Sequence, residues 1–172
     1  MPRPRVPASA AILLAATLVL ATTAPALAGG RPEAGRIPGT GVVDFPAGEV
    51  CDFDLRWVFS DADLTQIVFP VQDDGDQLVR LAGHSTTTVI NLATAAEATF
   101  NTSTRLDFLY RADGLIEVTA AGRVMAAYFP TDLGGRGQFL FVGHLQDLVD
   151  GSFTLLAHAF TGRATEICSM VD

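Results

Sequence analysis

Two cysteines and three histidines, Cys51, Cys168, His84, His144 and His158, are the side chains best suited to covalent or metal chemistry in this 172-residue chain. A nucleophilic thiol needs a neighbouring base in a polar site. Cys51 instead opens an alternating stretch, "CDFDLRWVFS", in which Cys51, Phe53, Leu55, Trp57 and Phe59 share one parity and Asp52, Asp54, Arg56 and Ser60 take the other. That period of two predicts a half-buried β-strand, with Trp57 buried beside Phe53, Leu55 and Phe59. The histidines fall on three separate predicted strands, and none has a second histidine or an acid two residues on. A zinc site needs three or four converging ligands, so these are read as exposed or hydrogen-bonded structural histidines. His144 sits on the parity opposite Phe139, Phe141 and Leu145, and His158 shares its parity with Leu156 and Phe160. No metal and no cofactor are expected.

The remaining motifs carry little chemistry. Asp73-Asp74-Gly75-Asp76 offers hard oxygen ligands, but the twelve-residue calcium loop with its closing glutamate is missing, and a hairpin turn is expected. Gly134-Gly135-Arg136-Gly137 lacks the following helix and Lys-Ser/Thr of a phosphate cradle. There is no Gly-x-Ser-x-Gly elbow, and no carboxylate pair stands out for acid–base work. No catalytic residue is assigned.

The ends of the chain give the cysteines a setting. Arg3 and Arg5 precede an apolar run from Ala8 to Ala24, and Ala26-Leu27-Ala28 has the small residues that signal peptidase requires. Residues 1–28 read as a secretory signal. Residues 29–41, rich in Gly and Pro, read as a flexible leader, and residues 42–172 as one domain. Export into an oxidising compartment predicts a Cys51–Cys168 disulfide. It would fasten the C-terminal tail beside the first strand. A secreted product with no membrane attachment after cleavage is expected. The net charge of −8 becomes −10 once Arg3 and Arg5 are removed. An acidic domain is poorly suited to nucleic acid or anionic membranes.

After the leader, short apolar runs separated by turns predict about ten strands, beginning with Val50–Ser60 and Thr65–Val71. Gln77–Gly83, Ser85–Leu92, Ala98–Ser103 and Arg105–Tyr110 follow. Leu115–Ala121, Arg123–Phe129, Gln138–Leu148 and Phe153–Thr161 complete the set. The fold class is therefore all-β: a single antiparallel β-barrel, or else a β-sandwich, of about 8–10 strands with one disulfide. Pro70 and Pro130 belong at a strand end, edge or bulge. Phe139-Leu140-Phe141-Val142 is apolar on both parities, more than one buried face needs.

The pieces "TTTVINLATAAEATFN", "RADGLIEVTAAGR", "YFPTDLGGRGQFLFVGHL" and "TGRATEIC" occur in this order between Thr86 and Cys168. In that arrangement the chain resembles a group of uncharacterised small secreted actinobacterial proteins with two cysteines and a β-rich domain. It departs from them at "ATAAEA" (Ala93–Ala98), where the group's pattern has a glycine in the turn. The group has no assigned activity, so the resemblance implies export and fold but no catalytic residue.

The leading functional expectation is a non-enzymatic binding module for a small apolar ligand or an extracellular partner. A barrel enzyme acting on a small hydrophobic substrate is the second, and a structural or interaction protein of the cell envelope the third. A polar interior containing His84, His144 or Arg105 would favour the enzyme, a dry packed interior the structural role, and an apolar cavity ligand binding.

Overall fold

A computed structural model describes residues 30–37 and 39–172. The expected signal at 1–28 lies outside the described residues. Eight strands follow in order: β1 (Glu33–Ile37), β2 (Gly41–Phe45), β3 (Leu55–Val68), β4 (Gln77–Asn91), β5 (Glu97–Tyr110), β6 (Ile116–Tyr128), β7 (Gly137–Val149) and β8 (Leu155–Glu166). From β3 to β8 they form an antiparallel meander, each strand paired with the next. β1 and β2 share the free edge of β3, β1 along Leu64–Val68 and β2 along Leu55–Phe59. Among the described residues no ladder joins β8 to β1 or β2. The all-β antiparallel class holds, but the closed barrel is corrected to an open sheet with two edges. The expected leader is corrected too, since residues 33–37 form an edge strand whose side chains are mostly exposed. No helix among the described residues is long and apolar enough to cross a membrane.

The ten expected strands merge into six, β3 to β8, while β1 and β2 are additional, and the merging has one physical reason. The reading broke the chain at Gly83/His84, at Thr104 and at Gly122, and in each case the ladder runs straight through. Leu64 pairs Gly83, Gly83 pairs Thr104, and Thr104 pairs Gly122. Gly122 in turn pairs Gly143, which pairs Gly162. All of the former break points therefore lie on one row across the sheet. Its glycines have φ between 115° and 145°, an extended mirror conformation closed to residues with a Cβ. A Cβ on Gly143 would stand 2.1 Å from the carbonyl oxygen of Thr161, and one on Gly83 would stand 1.9 Å from that of Asp63. On β3 the same row carries a bulge between Ser60 and Asp63, with Asp61 at φ 50°. Glycine kinks and bulges bend a sheet without ending its strands.

Beyond this row the sheet splits. β5 pairs β6 only from Ser103 to Tyr110, leaving residues 97–102 of β5 without that neighbour. The outer halves of β6 and β7 then send one parity into each of two cores. Met125, Ala127 and Leu140 pack with Phe45, Leu55, Trp57, Val89 and Phe100. Val124, Ala126, Tyr128, Phe139 and Phe141 pack with Leu81, Phe108, Val118 and Leu145. That is why Phe139–Val142 is apolar throughout.

The strand expected from Val50 starts instead at Leu55. Residues 46–54 hydrogen-bond among themselves, with the Gly48 amide donating to the Cys51 carbonyl at 2.8 Å and the Ala47 amide to Asp54 Oδ1 at 2.7 Å. Cys51 is therefore a buried loop residue, and Phe53 packs at the margin of the core rather than on the strand. The predicted disulfide is present, joining Cys51 to Cys168 across 117 residues of sequence. The tail that it holds is a short 3-10 helix, Cys168–Met170. The Glu166 carboxylate accepts the Cys168 and Ser169 amides, Ile167 donates to the Gln138 carbonyl, and Asn91 Nδ2 donates to the Val171 carbonyl. Ile167 and Val171 are fully buried.

Candidate functional site

Residues directly opposed in an antiparallel ladder share a face, so the rows of the sheet define the interior. Ser85 opposes Thr102, Gly83 opposes Thr104, and Leu81 opposes Leu106. "STTT" and "NTST" are β-branched and suit strands, but their inward hydroxyls must find partners once buried. Ser85 and Thr102 bond each other at 2.8 Å. Thr102 Oγ1 also donates to the Ser85 carbonyl at 3.2 Å, and Thr104 Oγ1 to the Ala121 carbonyl at 3.0 Å.

These small side chains, together with Gly83, leave a pocket of about 210 Å³ at the kinked row. Trp57, Phe59, Leu64, Leu106, Val124 and Met125 are among its apolar walls. Trp57, the only tryptophan, stands edge-on to Phe45 at 5.0 Å and to Phe59 at 5.8 Å. It is buried on the face of Leu55 as expected, and its Nε1–H has no partner.

One carboxylate reaches the pocket wall. Asp147 opposes Val118 and His158, in a row continued by Phe108 and Val79. Its side chain is 2 % exposed. Oδ1 lies 2.7 Å from His158 Nδ1, and Oδ2 accepts the Tyr128 hydroxyl at 3.2 Å. Burial pushes the Asp147 carboxyl above the ordinary carboxylate range, while its bond to His158 pulls it back. Burial and then the nearby Asp147 charge raise the Tyr128 phenol.

The histidines do not converge. His84 and His144 are exposed, on β4 and β7, while His158 is half-buried against Asp147. Among the described residues no group of three His, Cys, Asp or Glu is placed to hold a metal. Arg105 lies on the outer face, paired with Asp107 at 3.0 Å. Asp73–Asp76 is the β3–β4 hairpin turn, with Gly75 at φ 90° and Asp76 accepting the Ala112 amide. Gly134–Arg136 is a loop leading into β7 at Gly137, and its Arg136 pairs with Asp52. Sequence reading passed over Asp147 and Tyr128. The signal was present, since Asp147 has the odd parity of Phe139, Phe141 and Leu145, which puts an acid on the apolar face of its strand.

Comparison with protein-family models, with curated proteins and with solved structures finds no match.

Proposed function

We propose that the protein is an exported, non-enzymatic binding module that holds one small, mainly apolar molecule in the pocket along its kinked row. The observation that carries this reading is the pocket itself: about 210 Å³ of space, walled mostly by apolar side chains, inside a sheet whose flanking regions are packed. An apolar cavity of about 150 Å³ accepts benzene, so this one suits a single ring with a short substituent. The open sheet acts as a barrel wall would, enclosing the ligand between inward faces. The disulfide suits an oxidising compartment and the proposed export, as does the resemblance to small secreted proteins.

A second reading, a pocket enzyme acting on a small hydrophobic substrate, is favoured by one observation, the Asp147–His158 hydrogen bond beside the pocket. It ranks lower because the lining offers Asp147 alone as an acid–base group. Native mass spectrometry of protein purified from its host's culture supernatant tests the binding reading. A one-to-one small-molecule adduct, released by gentle denaturation, is expected. Bare protein that no single-ring probe stabilises against heat would count against it.

A further inference from the structure

The pocket's polar atoms are unbalanced in kind. The Ser85 and Thr102 hydroxyls form a closed pair: Thr102 donates to the Ser85 carbonyl, so the Ser85 proton goes to Thr102 Oγ1. Thr104 gives its proton to the Ala121 carbonyl. A hydroxyl has one proton and two lone pairs, so these three side chains have spent their donors inside the protein and retain acceptor capacity. Asp147, the only ionisable side chain on the lining, accepts one bond at each oxygen and has lone pairs to spare. Among the fully buried donors on the lining the Trp57 indole N–H has no partner, and the Thr40 and Thr87 hydroxyls, which also line the pocket, can accept as well as donate. No arginine or histidine lines the pocket, and the chain has no lysine and a net charge of −8.

We infer that the pocket selects a small apolar amine, its N–H groups donating to Asp147, and rejects carboxylates of the same size. This rests on the pocket being a ligand site. An anion would meet a buried carboxylate and no cationic side chain on the lining, and desolvating it there is costly. An ammonium meets an acceptor-rich wall, and the acidic surface raises its local concentration.

Three matched probes test this at pH 7: phenethylamine, phenethyl alcohol and phenylacetate, titrated by calorimetry and by the emission of Trp57. The expected order of affinity is amine, alcohol, carboxylate, with the amine tighter than phenylacetate by about tenfold or more, the size of one charge-assisted hydrogen bond. Asp147→Asn should cost the amine about tenfold while leaving the alcohol within a factor of three. Phenylacetate binding as tightly as the amine overturns the inference, and so does an unchanged amine affinity in a folded Asp147→Asn variant. The wild-type ranking alone decides the matter if that variant does not fold. Failure of all three probes would overturn the pocket as a ligand site, whereas binding in the wrong order overturns only the preference for amines.

Discussion

Individual side chains in this protein are placed by parity, and the exceptions to parity carry the information. Gln138 is fully buried, and both its amide nitrogen and its oxygen lack partners. An unsatisfied buried amide costs about 1–3 kcal/mol. Gln138→Met, which keeps the volume, should therefore raise stability by roughly 1 kcal/mol in urea denaturation; a lower midpoint would mean that the amide has a role that geometry does not reveal. On the outer face, Asp107 accepts Arg80 Nε at 2.7 Å and Nη2 at 2.8 Å. Those bonds, with the charges of Arg80 and Arg105, hold its carboxyl below the usual range. A depressed folded value stabilises at pH above the unfolded value, about 4, and that contribution is lost as pH falls through the folded one. Asp107→Asn should cost about 1–3 kcal/mol at pH 7, and the difference from wild type should shrink below about pH 4. A pH-independent loss would show that the ion pair is not its source. Much at this scale was legible. Trp57 inward, the disulfide pair and the turn at Asp73–Asp76 all follow from residue type and spacing. Asp147 was not singled out, because a lone acid on an apolar parity acquires meaning only when His158 and Tyr128 arrive from other strands.

At the scale of elements the lesson is in the glycines. Sequence reading treats glycine as a breaker, and Gly83 and Gly122 were read that way. Both stay in their ladders at positive φ, so the strands run on and bend. No local pattern distinguishes a glycine that ends a strand from one that kinks it. The distinction depends on the register that aligns Gly83, Thr104, Gly122, Gly143 and Gly162. A Cβ on Gly143 would collide with backbone, so Gly143→Ala should cost at least about 3 kcal/mol or prevent folding. Gly134→Ala, also at positive φ but with open space around it, should cost only about 1–2 kcal/mol. Equal losses would refute the row as the bend. An alanine, Ala95, sits at φ 60° in the turn between β4 and β5, a conformation that glycine favours. The disulfide secures the other vulnerable element, the tail whose Ile167 and Val171 complete the core. Cys51→Ser should lower stability by about 2–5 kcal/mol, and native wild-type protein should give no thiol on alkylation. Two alkylated cysteines in folded protein would remove that account.

Over the whole molecule, one bend line does two jobs. It separates the outer halves of β6 and β7 from β5, which creates two packed cores, and it leaves a pocket where small side chains meet. Strand content and antiparallel class were readable from alternation and turns. Closure was not, because it depends on whether edges such as β1 and β8 meet, and neither edge carries a local mark of its partner. The central claim is that this pocket, and no surface patch, takes a small apolar ligand. The most direct measurement is an NMR titration of uniformly labelled protein with phenethyl alcohol, a neutral probe that leaves the amine question aside. The account predicts saturable shifts concentrated in the side chains of Leu81, Leu106, Val118, Met125 and Leu145, with the Trp57 indole N–H among the largest. Shifts confined to exposed apolar residues such as Val42, Leu156 and Met170, or no saturable shift at all, would contradict it.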